Sequence, residues 1–421
     1  MGCPKNQVDS EHVLGSLTEA GYGLTTEPRS ADLIVITTCA FLQSAVRESE
    51  AAIEEALKLK QESRSKKVVV AGCLVERYGK DLKNKFPSVD LWVPLASMPQ
   101  IPRLLSASSA RLRSSSFIPH PSSFPRVLST PRHFAYLKIA DGCDNRCLYC
   151  MIPDIRGPFR SRPLHDIVAE ARDLAHAGVK ELILVAQDTT LYGKDLGGRS
   201  LLAQLLTELG KLDAVRWLRL MYTHPAHITE DVIDQFASNP KLCRYIDLPI
   251  QHVADHLLDK MNRRYTRQDV ELVLEALRAI PDMHIRTTII VGLPGETERD
   301  FDELLAFVRA ARFDRLSCYA YSPEPGTKAA RLPAQVSPAV KKERVRRLML
   351  AQAVISRANL KKLVGRKLMV LVDSPGIGRT QWEAPEIDGV VKLSGRKVRP
   401  GSLVTALVTA SSTHDLTARV L

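Results

Sequence analysis

Phe134-Ala135-Tyr136-Leu137-Lys138-Ile139-Ala140-Asp141-Gly142-Cys143-Asp144-Asn145-Arg146-Cys147-Leu148-Tyr149-Cys150 is the stretch on which the fold turns. Its first half is an apolar, aromatic run that reads as a strand. Its second half places three cysteines in one loop with the spacing C-x-x-x-C-x-x-C. Three thiolates so close together can bind three irons of a cubane cluster and leave the fourth iron without a protein ligand. A closed structural zinc site requires four ligands, and no fourth Cys or His follows locally.

Downstream of that loop, short apolar strands alternate with amphipathic helices. Strands are expected at 134–139, 181–186, 216–221, 245–249, 285–291 and 315–321, with helices at 165–177, 200–211, 229–238, 267–280 and 297–311. Such alternation gives an α/β fold with an open (β/α)6 partial barrel, whose working face is the carboxyl ends of its strands. The segments there are polar: Gln187-Asp188-Thr189-Thr190, Thr223-His224-Pro225, Gln251-His252, Gly292-Leu293-Pro294-Gly295-Glu296 and Tyr321-Ser322-Pro323-Glu324. His224 and His252 read equally well as core histidines, and Met261 and Met283 as core filler.

Upstream, Leu33-Ile34-Val35-Ile36 and Val68-Val69-Val70-Ala71 are β-branched runs flanking a helical pattern at 42–60. Strand, helix, strand implies parallel pairing in a doubly wound sheet. Cys39 and Cys73 each follow one of these strands, and Cys3 stands in Gly2-Cys3-Pro4-Lys5-Asn6. Three such thiols suit either a second three-thiolate site or unrelated buried cysteines. Residues 106–131 hold nine Ser, four Pro, three Arg and no acid, a linker composition. Residues 337–363 form a helix with eight Lys or Arg against Glu343, either a solvated face or a nucleic-acid contact. Beyond Gly365, short segments at 367–372, 389–393, 403–408 and 416–420 suit a small antiparallel β-barrel. The domains are therefore 1–105, a linker at 106–131, 132–364 and 365–421.

The 421 residues are 45% hydrophobic and 25% charged, the balance of a globular chain. No apolar run nears the roughly 18 residues of a membrane span, and no cleavable leader opens the chain, so no membrane partner and a cytoplasmic location are expected. In a reducing compartment, spaced cysteines point to metal or catalysis rather than disulfides. The net charge of +12 makes a polyanion such as RNA a plausible neighbour without naming it.

The spacing of Cys143, Cys147 and Cys150, with Tyr149 before the last cysteine at the mouth of a βα barrel, resembles the radical S-adenosylmethionine superfamily. The resemblance implies that these three cysteines hold a 4Fe-4S cluster. It implies that the remaining iron chelates S-adenosylmethionine, and that an electron cleaves it to a 5′-deoxyadenosyl radical. It places Tyr149, Gln187, Asp188 and Gly292 against the cofactor, Gln187 and Asp188 toward its amino end and Gly292 at its nucleoside. No catalytic acid or base is assigned.

With Cys3, Cys39 and Cys73 in the first domain and a small barrel last, nearly the whole chain is similar to the methylthiotransferase family. That implies a second 4Fe-4S cluster on Cys3, Cys39 and Cys73, assisting sulfur delivery. Family members place a strand before the first cysteine, whereas only Met1-Gly2 precede Cys3, so the true start is expected upstream. Cys243 and Cys318 match no ligand and read as core.

Several blocks resemble the ribosomal-protein branch of the family: Gly2-Cys3-Pro4-Lys5-Asn6, Phe134 to Ala140, Ala186-Gln187-Asp188-Thr189-Thr190 with Tyr192-Gly193, and Ala384-Pro385-Glu386-Ile387-Asp388-Gly389. The implied reaction installs a methylthio group at the β-carbon of an aspartate in the small-subunit ribosomal protein S-twelve, free or on the ribosome. An electron donor is a further partner, and ribosomal RNA a second contact to test. The alternatives are a transfer RNA adenosine methylthiotransferase and a non-catalytic iron–sulfur RNA-binding or redox-sensing protein. The last barrel is similar to the TRAM domain, and its loop of Trp382, Glu383, Glu386 and Asp388 reads either as a dock for a basic protein or as a solvated acidic turn.

Overall fold

The computed structural model describes residues 2–62, 66–107 and 126–421. Most of the expected linker, 108–125, lies outside the described residues. The chain divides into two compact units. One is Met1–Thr130 with Asp141–Asp144 and Cys150–Arg160; the other is Pro131–Ala140, Asn145–Tyr149 and Ser161–Leu421.

In the first unit, β1 (Leu33–Thr38), β2 (Lys67–Gly72) and β3 (Leu91–Val93) form a parallel sheet in that order. Its helices are α1 (Pro4–Glu19), α2 (Gln43–Glu62), α3 (Cys73–Lys85), α4 (Ile101–Ala107) and α5 (Ile152–Arg156). Successive strand side chains point to opposite faces, and that alternation sorts two cores. Val68 and Val70 pack with Val46 and Ile53 of α2, whereas Val69 and Ala71 pack with Val13 and Leu17 of α1 and Ile101 of α4. Helices on both faces make the sheet doubly wound. Glu11 of α1 is fully buried, and its carboxylate accepts from Arg126 Nε at 2.8 Å and Ser129 N at 2.9 Å.

Along the chain follow β4 (Phe134–Lys138), the two-residue strands β5 (Ala140–Asp141) and β6 (Arg160–Ser161), β7 (Glu181–Val185), β8 (Trp217–Leu220), β9 (Leu242–Asp247), β10 (His284–Val291) and β11 (Arg315–Ala320). Six of these make the parallel sheet of the second unit, in the order β11-β10-β9-β8-β7-β4. The helices of this stretch are α6 (Leu164–His176), α7 (Lys194–Gly197), α8 (Leu202–Gly210), α9 (Glu230–Ser238), α10 (Asp255–Lys260), α11 (Arg267–Arg278) and α12 (Glu298–Ala311). Thr266 and Thr297 open α11 and α12 with capping boxes to Asp269 and Asp300. The long α13 (Pro338–Lys361) packs on β11 and α12.

The last segment closes a five-stranded barrel of β12 (Lys367–Ser374), β13 (Ile377–Arg379), β14 (Val391–Ser394), β15 (Leu403–Ser411) and β16 (Leu416–Val420). All its pairs are antiparallel except β14 with β16, which run parallel. Strands β3 and β13 lay outside the sequence expectation because three residues are too few to show a period.

The loop after β13 corrects one expectation. Trp382, Glu383 and the Asp388 side chain are buried, and only Glu386 among its acids is exposed. Trp382 stacks on His284 at 4.4 Å, Glu383 accepts from Arg315 at 3.0 Å, and Asp388 accepts from Tyr245 at 2.7 Å. Their charges are committed inside the fold, so this loop is not an acidic docking surface. Beside it, fully buried Glu181 bridges Arg219 at 2.7 Å and Arg379 at 2.9 Å. Burial alone would raise the Glu181 carboxyl, yet the two guanidinium groups hold it below its usual range. These contacts gather at the first residues of β7, β10 and β11 and fasten the small barrel beneath the sheet.

Much of the charge of the basic helix is also used within the fold. Arg344 and Arg347 of α13 pair with Glu298 and with Glu296 or Asp302, Lys341 donates to the Tyr321 carbonyl, and Arg346 pairs with Glu343. Arg357 adds a bond to the Thr413 hydroxyl at 3.0 Å, so five of the eight cations serve intramolecular contacts.

Removing Glu181 leaves two buried guanidinium groups facing each other. Glu181→Ala should cost about 3–5 kcal/mol in urea unfolding. Glu343→Ala, which breaks an exposed pair, should leave the transition where it is.

Candidate functional site

In the first unit, paired parallel strands deliver Cys39 and Cys73 to one edge. Cys39 follows β1, and Cys73 opens α3 directly after β2. Thr38 Oγ1 ties the two strand ends together, donating to the Ala71 carbonyl at 2.7 Å and accepting from Leu74 N at 3.2 Å. Ser49 Oγ donates to the Cys39 carbonyl and accepts from its N–H. Gly72 turns between strand and helix at φ 103°, where a Cβ would stand 3.0 Å from the Thr38 carbonyl oxygen, so the turn requires glycine.

Cys3 stands just before α1. Burial pushes the Cys73 thiol up to about 12, with Arg156 opposing; burial raises Cys39 as well. Protonated thiols of this kind ionise when a metal replaces the proton. The structure sets Cys39 and Cys73 at the ends of two paired strands and Cys3 directly before α1.

In the second unit, the carboxyl ends of β7, β8 and β9 carry an unusual set of atoms. Both polar atoms of the Gln187 side chain, His224 Nε2, Gln251 Oε1 and His252 Nε2 are buried with no hydrogen-bond partner. Each such atom costs about 1–3 kcal/mol when left unmade, and these belong to adjacent strands of one sheet. A polar ligand seated there would complete them, and S-adenosylmethionine fits, since its amino, carboxylate and hydroxyl groups supply donors and acceptors. His224 and His252 share a local design: Nδ1 accepts from the N–H two residues on, in Ala226 and Ala254, leaving Nε2 to carry the proton. They are half-satisfied rather than ordinary core histidines.

Asp188 does something different from Gln187. Its carboxylate accepts from Asn145 Nδ2 and His227 Nδ1, both at 2.8 Å, and from the Thr190 N–H and hydroxyl. Burial opposes the charge, but the His227 bond and its neighbours hold the carboxyl down at about 2. With every lone pair engaged, Asp188 anchors Asn145, in the middle of the cysteine loop. Gly292 lies at φ +76°, and a Cβ there would stand 2.3 Å from Lys341 Cγ, so α13 already demands glycine. Tyr149 is half-buried and packs with Leu148 against Met261, Leu293 and Ala329.

The cysteine loop is clamped by a turn that sequence reading passed over. Leu148 N donates to the Met261 carbonyl, Asn262 Nδ2 donates to the Asn145 carbonyl at 2.8 Å, and Arg263 donates to Cys147 Sγ at 3.4 Å. No spacing marks Asn262 or Arg263; Asn145 alone was visible, inside the loop. Cys150 Sγ accepts from Ile152 N at 3.4 Å, and Cys143 N donates to the Gly157 carbonyl. Cys243, Met261 and Met283 are buried, while Cys318 is half-buried and lines a cavity of about 450 Å³ beside β11 and α13.

An open parallel sheet with a three-cysteine loop after its first strand defines a radical S-adenosylmethionine enzyme. A model of the radical SAM superfamily matches residues 137–308, one of the uncharacterized protein family UPF0004 matches 1–94, and one of the TRAM domain matches 364–421. The ribosomal protein uS12 methylthiotransferase RimO of Anaeromyxobacter sp. (strain K) is 45% identical, covering 100% of this chain and 92% of that protein. The Geobacter sulfurreducens protein of the same name is 42% identical over 100% of this chain and 97% of its own. A radical S-adenosylmethionine methyltransferase, TsrM, from Kitasatospora setae shares the fold at TM-score 0.57 and 16% identity, over 78% of this chain and 71% of that one. The chain belongs to the RimO family of radical S-adenosylmethionine methylthiotransferases. With the family come its cofactors, two 4Fe-4S clusters and S-adenosylmethionine. No described helix is long and apolar enough to cross a membrane.

Burial pushes His224 down to about 2 and His252 to about 3. The folded chain keeps both neutral, whereas the unfolded chain protonates them below about 6.5. Their stabilising effect is therefore complete above that pH and is lost as pH falls below it, by about 1.4 kcal/mol per unit for each. Urea unfolding from pH 7.5 to 5.5 should show this loss, and the double variant His224→Gln, His252→Gln should remove about 2.7 kcal/mol of it across that range.

Proposed function

We infer that this enzyme installs a methylthio group at the β-carbon of an aspartate in ribosomal protein uS12. The observation that carries the reading is the rim of buried, unpartnered polar atoms at the sheet end that leads into the three-cysteine loop, in a chain related end to end to uS12 methylthiotransferases. An aspartate β-hydrogen is unactivated, so a base at neutral pH cannot remove it and homolytic abstraction is the workable route.

Cys143, Cys147 and Cys150 are assigned to one cluster and Cys3, Cys39 and Cys73 to the other. When bound, a cluster with one iron free of protein sulfur supplies the electron that cleaves S-adenosylmethionine. Gln187 and Gln251 offer carboxamides, and His224 and His252 offer Nε2 protons, to orient the cofactor's polar groups. Asp188 positions the loop through Asn145, and Tyr149 lies against the same wall. Gly292, which gives α13 its close approach, is assigned to the cofactor's nucleoside.

The reading divides the chain into a methylthiotransferase domain at 1–105, a linker at 106–131, the radical barrel with its basic helix at 132–364, and a TRAM barrel at 365–421. It places the enzyme in the cytoplasm with an external electron donor, acting on uS12 free or on the assembling subunit, with ribosomal RNA contacting the TRAM barrel.

Anaerobic reconstitution should yield about eight irons and eight sulfides per chain, falling to about four in Cys147→Ala and about four in Cys73→Ala. 5′-Deoxyadenosine should form with wild type and not with Cys147→Ala, and mass analysis of uS12 should show a methylthio aspartate. A modified transfer RNA with unmodified uS12 would overturn the substrate.

A further inference from the structure

Two buried arginines, each outside the cysteine motifs, donate to a thiol sulfur of one triad. Arg263 Nη1 lies 3.4 Å from Cys147 Sγ, and Arg156 Nη2 lies 3.7 Å from Cys73 Sγ. Both stay charged, since a guanidinium does not deprotonate in proteins. Their settings differ in one respect. Arg156 is balanced by two carboxylates, Asp9 at 3.0 Å and Asp141 at 3.0 Å. Arg263 has no ion pair with a carboxylate among the described residues. Its other donors meet the Tyr265 hydroxyl at 3.0 Å and the Pro249 carbonyl at 2.9 Å.

A 5% exposed guanidinium with only neutral oxygens around it is an uncompensated buried charge, and such a charge costs several kcal/mol. The backbone invests further in holding it. Asn262 and Arg264, on either side, both take the left-handed conformation, at φ 59° and 58°. That conformation is strained for residues with a Cβ and persists only where the surroundings enforce it. Asn262 at the same time grips the cysteine loop at the Asn145 carbonyl. Among the described residues, the group at Arg263 that becomes an anion on binding iron is Cys147.

We propose that each three-cysteine centre is poised by its own arginine, and that Arg263 raises the potential of the Cys143, Cys147, Cys150 centre more than Arg156 raises that of the other. The proposal rests on the cluster assignment above. A cation and an N–H donor at a ligand sulfur stabilise the reduced, more negative cluster. At Cys73 the two carboxylates offset most of the cation's field, so there the hydrogen bond alone acts. At Cys147 nothing offsets it. Arg263 is thus a tuning residue for electron entry, acting through Cys147 rather than on substrate.

The test is an EPR-monitored redox titration of anaerobically reconstituted full-length protein without S-adenosylmethionine. Arg263→Gln is read in a Cys73→Ala background, where the loop centre alone remains, and Arg156→Gln in Cys147→Ala. Iron and sulfide in the parent backgrounds, about four each, test the cluster assignment separately from the arginines.

At the parent midpoint, Arg263→Gln should lower the ratio of reduced to oxidised centre about tenfold, equivalent to about 59 mV for one electron. Arg156→Gln should move its centre by less, and both Lys variants should recover part of the shift. An unshifted Arg263→Gln centre at full loading overturns the proposal, as does an Arg156→Gln shift equal to or larger than that of Arg263→Gln. Should Arg263→Gln lose its iron, retention by Arg263→Lys supports the proposal, and loss in both overturns it.

Discussion

A buried polar atom seeks a partner, and in the larger unit ion pairs meet most of that demand at one end of the sheet while the other end leaves more of it open. On the side that meets the small barrel, Glu181 shares charge with Arg219 and Arg379, Arg315 pairs with Glu383 and Tyr245 with Asp388, although Arg219 Nη2 and Trp382 Nε1 keep no hydrogen-bond partner among the described residues. At the carboxyl ends of β7, β8 and β9, Gln187, His224, Gln251 and His252 keep polar atoms with no hydrogen-bond partner among the described residues. The first end is where the small barrel is fastened, and the second is where a ligand is awaited. Swapping those conditions would cost stability at one end and binding at the other.

The smaller unit meets a related constraint with sulfur. Burial favours the protonated thiol at Cys39 and Cys73, so an empty site is quiet rather than reactive. The turn that gathers them depends on modest local devices: the Thr38 hydroxyl between two strand ends, the reciprocal Ser49 bonds to Cys39, and a glycine at position 72. Arg156 belongs to the same unit although it lies just beyond the radical motif in sequence. Its bonds to Asp9, Asp141 and Cys73 tie the segment after Cys150 to the sheet that carries the other thiols.

The acidic loop and the basic helix show how charge in a sequence misleads. Glu383 and Asp388 stand in a run with Glu386 that reads as one exposed cluster, yet two of the three are buried against arginine and tyrosine from distant strands. The cations of α13 read as one stripe, yet α12 supplies the acids that meet Arg344 and Arg347. Neither partner is near in sequence, and local composition carries no record of it.

Strand and helix order, the three-cysteine loop and the cluster chemistry it implies were legible in the residues alone, because β-branched runs, helical periods and ligand spacing are local properties. So were Cys39 and Cys73, since a residue directly after a parallel strand must lie at its carboxyl edge. The tertiary structure decided what depends on distant partners. It turned Asp188 into an anchor for Asn145, made Gly292 a necessity of α13, and set Arg263 against Cys147 and Arg156 against Cys73. Burial and pairing are properties of folded neighbours, and a side chain's neighbours are fixed only when the strands have taken their places in the sheet.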